Sequence, residues 1–426
     1  MKNAHDSKCR TRILGPRQWL LIASVLMLVL FALRVVQTWS DRGFFNFLGV
    51  DYAIYGATAH VVTDLGWTHL YDMKAITAKV VEFFFPYYES TGRPLITGPS
   101  PYPAPFVLPF IITNLFGPVG GFAAWTSCNI LMVLAIARGM LRGSHHQEPT
   151  MYLVPFVFLP VLYNLFLGQL AIIMTFGIYK FYMSFQEGRE FRAGFWLGLL
   201  LLKPQFALIP AIVLVGKGRW RALGGLLTSG IALALSTVAL VGIDGVRNFL
   251  HILRAFSGFR RVPSIVYPEA MINIRGILVV LLPESITESQ AMLLVLALSA
   301  ALTLSLIVIW RGPWDPSADR FPRQMLGTLI VVMLTGFHNH IHGATVLIVP
   351  VLAEIRRNSK PIPLSFLWLT TIFLPTFIVV ACGMMNYAGW TLVALMACSY
   401  WEIVAELYKN SKHRLDRRLS IFITPG

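Results

Sequence analysis

Charge is scarce in this chain of 426 residues: Asp, Glu, Lys and Arg together make 13%, about half the share usual in soluble domains. An ordinary soluble domain is excluded. Cysteine is nearly absent too. Cys9, Cys128, Cys382 and Cys398 lie in a basic tail or in apolar runs, a pattern that suggests neither a disulfide framework nor a zinc site. The phosphate-binding glycine loop, the dinucleotide fingerprint, HExxH and GxSxG are missing, so nucleotide-dependent chemistry in the cytoplasm has no support. What is abundant is apolar sequence, 56% of the chain. It recurs in stretches of about twenty residues, enough for a helix to cross a hydrocarbon core of about 30 Å. Runs such as LALSAALTLSLIVI (296–309) do not alternate as barrel strands do. The expected fold class is all-α, a polytopic integral membrane protein.

Basic residues outnumber acidic ones 35 to 20, and both ends are basic: 1–17 and 409–426 each carry a net +4. By the positive-inside rule, the tails 1–16 and 409–426 are expected in the cytoplasm, flanking one transmembrane domain over 17–408 of an inner or plasma membrane protein. The tails are short and no basic domain stands apart, so nucleic acid is not an expected partner. A first helix is expected over 17–36, retained because no small-residue cleavage site follows it. The mixed-polarity segment 37–101 would then form an extracytoplasmic loop. Further spans are expected near 102–117, 119–141, 151–167, 169–185, 193–215, 221–242, 289–310, 325–337, 343–355, 362–382 and 388–408, about twelve crossings in all. Residues 243–288 read as an amphipathic outer-face segment, with 262–284 dipping into the outer leaflet. The loop with Arg138, Arg142, His145 and His146 would fall outside and contradicts the charge rule. Prolines within spans (Pro105, Pro109, Pro155, Pro160, Pro204, Pro210, Pro350 and Pro375) imply kinked helices around a cavity or ordinary packing kinks.

Chemistry is expected where polar residues interrupt this apolar background. Asp51 opens the stretch DYAIYGATAHVVTDLGWTHLYD (51–72), close to the outer membrane surface, with Tyr52 and Tyr55 on a short helical pattern behind it. A partly desolvated carboxylate there can serve as general base for a hydroxyl. Alternatively, Asp51 caps a helix that begins at Tyr52. Lys203, in GLLLLKPQF, falls near the centre of an expected span, where an ammonium is costly. Anion binding in a polar cavity is the expected role, with Pro204 breaking the helix and Gln205 adding a donor, against a structural ion pair. Gln169, in NLFLGQLA, is either a further site residue or part of a short turn with Gly168.

The amphipathic stretch 246–276 carries Arg247, Arg254, Arg260, Arg261 and Arg275 among Phe249, Phe256, Phe259 and Tyr267. Arginine suits phosphate oxygens. Arg247 and Arg254 fit a surface helix resting on anionic headgroups equally well, whereas Arg275 sits in an apolar patch. His338, His340 and His342 alternate at a break between apolar runs. An extended segment would turn all three to one side, as metal binding requires, but no Asp, Glu or Cys stands beside them. Acceptor or phosphate binding is the preferred reading, and no metal or other cofactor is expected.

In order along the chain, DYAIYGATAHVVTDLGWTHLYD, SPYPAPFVLPF, NLFLGQL, GFWLGLLLLKPQFALIPAIVLVGKGRWRA, NIRGIL and the histidine-rich break before VLIVP resemble glycosyltransferase family 87, membrane enzymes of the GT-C fold. The resemblance covers about 20–400. It implies inverting transfer of a sugar, mannose first and a pentose second, from a polyprenyl-phosphate donor to a glycolipid, polysaccharide or protein acceptor on the extracytoplasmic face. Asp51 matches the family's loop-one base, Lys203 and Gln205 its Lys-Pro segment, and His342, beside His340, a functional histidine. Together with Arg261 and Arg275, Lys203 and Gln205 would bind the donor phosphate. Tyr55, Tyr102, Gln169, His340 and His342 would bind substrate. Many relatives have Tyr-Pro-Pro where this chain has Tyr102-Pro103-Ala104-Pro105, and an aspartate near Gly343 or Ala344, so a second catalytic carboxylate is not implied there. The competing readings are a secondary transporter or flippase of lipid-linked sugars and a membrane scaffold without activity.

Overall fold

The computed structural model describes residues 45, 48–87, 98, 100–143, 149–256, 258, 268–357 and 392–409, with scattered helical positions between 22 and 37. Arg260, Arg261, Pro375, the expected span 362–382 and most of both tails lie outside the described residues. The described residues are all-helical, as expected. In chain order the helices are α1 (Val50–Leu65), α2 (Met73–Lys79), α3 (Leu108–Asn114), α4 (Gly117–Leu141), α5 (Leu159–Leu167), α6 (Ala171–Gln186) and α7 (Glu190–Leu197). They continue with α8 (Gln205–Gly216), α9 (Trp220–Ala255), α10 (Ile274–Leu281), α11 (Glu288–Ile309), α12 (Phe321–Thr335) and α13 (Ile348–Arg357), and end in a helix, α14, over 392–409.

Three of these, α4, α9 and α11, are long and apolar enough to cross a membrane. Several other expected spans are composites of short helices and 3-10 turns. The span expected at 193–215 is α7, a 3-10 turn over Gly198–Leu202, a break at Lys203, and α8. The spans expected at 151–167 and 343–355 likewise begin as 3-10 segments, Pro149–Val157 and Ile341–Leu347. Proline explains part of this, although mostly not by kinking. Pro109 and Pro160 stand in the first turns of α3 and α5, and Pro204 immediately precedes α8. At a helix start the missing N–H costs nothing and the fixed φ fits. Pro210 does lie inside α8.

The described part of 37–101, expected as a loop, contains two α-helices. α1 runs through the middle of 37–101 and packs on α2 and α3. Its residues from Tyr52 to Ala59 are all buried. The boundary expected at 242/243 appears as a sharp kink inside α9, where Gly242 adopts φ 69° and ψ −179°. Beyond it, Phe249 stacks on Tyr71 with ring centroids 5.3 Å apart.

Two apolar clusters meet near the candidate site residues. The larger is built from α4 to α8 with α12, α13 and α14; the smaller gathers α1, α2 and the 102–110 segment. Leu170 and Leu202 belong to the smaller cluster, whereas Ala171, Phe206 and Ile341 belong to the larger. Gln169, Lys203 and His342 therefore lie at the seam, where polar groups can face one another without cutting through either core.

Candidate active site

Asp51 stands in the first turn of α1 and does not cap it. The cap position is Gly49, in a left-handed conformation and without a side-chain cap, so the capping alternative falls. Gly49 N–H donates to Phe166 O at 2.8 Å, tying the start of α1 to the end of α5. The helix N-terminus favours an anion there, but the surrounding protein acts more strongly. Burial raises the Asp51 carboxyl from 3.8 to about 6, opposed by a hydrogen bond from Gln169 and by the field of Lys203.

Gln169 reaches Asp51 because of the turn before it. Asn164 Oδ1 accepts from Ala171 N–H at 3.0 Å, its carbonyl accepts from the N–H groups of Gly168 and Gln169, and Gly168 takes φ 77° to end α5. A Cβ on Gly168 would come 2.6 Å from Tyr52 Cβ. The Gly168 carbonyl accepts from the Trp125 indole N–H at 2.9 Å. The turn is thus pinned from both sides, and the Gln169 side chain projects into the seam. Its Oε1 accepts from Tyr55 OH at 2.9 Å and from Tyr102 OH at 3.4 Å, and the two phenols lie 3.1 Å apart. With its oxygen so occupied, the amide presents its N–H groups to Asp51.

The chain breaks at Lys203, which has an extended conformation (φ −126°, ψ 90°) between the 3-10 turn and α8. Its ammonium is buried, 5.8 Å from the centroid of the Tyr102 ring and 3.2 Å from His342 Nε2. An ammonium can only donate, so Nε2 accepts and the His342 proton resides on Nδ1. That Nδ1 is buried without a hydrogen-bond partner among the described residues. Gln205 opens α8, half-buried two residues further on.

The three histidine rings form a row, with centroids 4.8 Å apart from His338 to His340 and 5.9 Å from His340 to His342. The row is held by the NIRGIL segment. Ile272 N–H donates to Asn339 O at 2.8 Å, Asn273 Nδ2 to Gly336 O at 2.7 Å, and His340 Nδ1 lies 3.2 Å from Ala270 O. Arg275 is fully buried in the same junction. It donates to the carbonyls of Phe256, Gly258 and Phe337 and lies 4.3 Å from the Phe337 ring. Its donors thus fasten two other stretches of chain, the one with Phe256 and Gly258 and the one with Phe337, to its own helix. Among the described residues, no group of three or more His, Cys, Asp or Glu could hold a metal ion.

The structure therefore brings Asp51, Tyr55, Tyr102, Gln169, Lys203 and His342 together, with His340 next to them and Arg275 behind. A family model, Glycosyltransferase family 87, matches residues 101–336, more than half of the chain. The chain belongs to glycosyltransferase family 87. No curated protein and no solved structure matches it. This family 87 glycosyltransferase has Tyr102, Gln169, Lys203, Gln205 and Arg275 inside the matched stretch, whereas Asp51 precedes it and the histidine row follows it. The connection of Asp51 to the matched residues is geometric, through Gln169.

Two contributors were not singled out from sequence. Tyr163, on α5, lies within the field of the Asp51 carboxylate, and Tyr71 donates its hydroxyl to Tyr102 O at 2.8 Å. Tyrosines in an apolar, aromatic-rich chain carry no spacing signal that separates them from core residues.

Proposed function

We propose that this glycosyltransferase is an inverting enzyme that moves a sugar, mannose in the first instance, from a polyprenyl-phosphate donor to an acceptor hydroxyl on the extracytoplasmic face. One observation carries the reading: a carboxylate and an ammonium, Asp51 and Lys203, face a common buried polar seam without forming an ion pair with each other. Asp51 takes the proton of the acceptor hydroxyl, whose oxygen forms the new bond to the anomeric carbon. The bond from that carbon to the phosphate oxygen breaks, and its electron pair leaves with the polyprenyl phosphate. Negative charge thus moves from the Asp51 side to the phosphate side during the reaction. Lys203 and the Nδ1–H of His342 meet it there, and such interactions accelerate transfer because they strengthen as the charge develops.

Gln169 orients Asp51, with Tyr55 and Tyr102 fixing its amide. Arg275 contributes its field and holds the histidine segment, because its contacts are already made to main-chain carbonyls. Arg261 and Gln205 remain proposed ligands of the donor phosphate, and His340 of substrate. A leaving monophosphate requires no divalent ion for neutralisation, so transfer is expected to persist in a chelator.

Radiolabelled transfer from synthetic polyprenyl-phosphate-mannose, in membranes holding the native chain or Asp51→Asn at equal expression, tests the proposal. Loss of a general base costs about 10²- to 10⁴-fold. Equal transfer by the two chains would remove Asp51 from the mechanism. No transfer by either would reject mannose as the donor sugar and move the test to pentose donors.

A further inference from the structure

The end of the molecule away from this site carries a second concentration of polar chemistry. α9 runs from Trp220 to its kink at Gly242, about 30 Å at 1.5 Å per residue. The part beyond the kink packs near Tyr71 and the candidate site. Trp220 and Arg221 therefore stand about one bilayer thickness away. α7 reaches the same place, since its first residues lie a helix length from the Lys203 break.

The two helices cross there in backbone contact. A Cβ on Gly194 would run into the Ala222 carbonyl, and one on Gly225 into the carbonyl of Phe191. Small residues permit such close approach between helices in membranes. The crossing gathers Arg189, Arg192 and Arg221 around an open cleft of about 650 Å³, also lined by Gly188, Glu190 and Phe191. Glu190 is engaged by Arg219 at 3.0 Å, and Arg189 by Glu187 at 3.3 Å. Arg192 and Arg221 are exposed, and neither has a carboxylate partner among the described residues. Beside them Trp220, Phe191 and Phe195 are 63%, 51% and 44% exposed. Arginines without counter-ions beside exposed aromatic rings match the two halves of a phospholipid at the membrane interface: phosphate for the guanidinium groups, glycerol and upper acyl chain for the rings.

We propose that the cleft between α7 and the start of α9 binds the headgroup of an anionic phospholipid in the leaflet opposite the candidate site. Arg192 and Arg221 pair with the phosphate, and Trp220 and Phe191 lie against the upper acyl chains. The proposal stands independently of the reaction assigned above.

Native mass spectrometry of the purified full chain, released from micelles doped with either phosphatidylglycerol or phosphatidylcholine, tests it. The native chain is expected to retain phosphatidylglycerol preferentially. Arg192→Gln with Arg221→Gln should weaken that retention about 30-fold at low salt, from about 1 kcal/mol per charge. The matched pair Arg138→Gln with Arg142→Gln, exposed at the C-terminal end of α4, should leave it unchanged. Equal loss in both pairs would reduce the effect to net charge and overturn the site. Equal retention of the two lipids, or of phosphatidylglycerol by native and Arg192/Arg221 chains, would overturn it as well. Competition by millimolar glycerol phosphate as effective as by the lipid would mean a free-anion site and reject a lipid.

Discussion

Two interruptions of the helical bundle invite comparison. At Lys203 the chain leaves helical geometry with a buried cation at the break, and the space is filled by Tyr102 and His342. At Gly242 it departs just as sharply, yet a Cβ there would meet nothing within 4 Å. The first break is made by polar groups that need one another; the second is a turn of the backbone that redirects α9 toward Tyr71. A broken apolar helix is therefore not itself evidence of a site. What distinguishes the break at the candidate site is a charged group whose partners come from distant parts of the chain.

Substitutions can separate the two. The largest effect is expected at Lys203→Met, which should lower kcat by about 10²- to 10³-fold, the scale of one lost transition-state donor. Thermal stability should be retained, because an apolar side chain of similar volume replaces a buried charge. A matching fall in melting temperature and rate would instead make Lys203 structural. Next comes Gly168→Ala, which forces a side chain into a left-handed conformation against Tyr52 and displaces Gln169. Transfer should fall roughly tenfold, about the 1–2 kcal/mol cost of such strain, with protein yield showing whether the chain still folds.

A pH series sharpens the comparison further. Asp51 must be ionised to accept a proton, and its carboxyl is raised to about 6. Transfer should therefore decline as pH falls through about 6 and hold up at higher pH. Gln169→Leu removes a hydrogen bond that favours the anion, so the same decline should begin at a higher pH. An unshifted profile with weaker substrate binding would return Gln169 to the role of substrate ligand. The smallest effect is expected at Gly242→Ala. About 1–3 kcal/mol of stability should be lost to a backbone conformation open essentially to glycine alone, with transfer per folded molecule unchanged.

The sequence exposes the site residues better than the architecture that holds them. Asp51, Gln169, Lys203 and His342 stand out because a polar group amid apolar neighbours has few uses, and the structure does bring these four together. The spans were harder to read. Hydropathy reports that a segment is apolar but not whether it forms one helix, so Pro204 and the histidines mark where the chain breaks while the 3-10 turns over 198–202 and 341–347 leave little trace in composition. α1 was legible only at its start, where Tyr52 and Tyr55 follow a short helical pattern. The mixed polarity of 37–101 otherwise reads as a loop, whereas the helix is stabilised by burial against α3 and the 102–110 segment. Arg275 shows a further limit: sequence marks a costly guanidinium but cannot tell a phosphate from three backbone carbonyls as its partner.

The arrangement of Asp51, Tyr102 and Lys203 has a thermodynamic consequence. Tyr102 lends its ring to the ammonium and, through Gln169, its hydroxyl to the carboxylate's support, so the two charges are both served and yet kept from neutralising each other. Under the proposed reaction, the protein without substrate carries unspent attraction for a phosphate at one end of the seam and for a hydroxyl at the other. On that proposal, occupying both ends would release the tension and make the substrates part of what holds the two apolar clusters together.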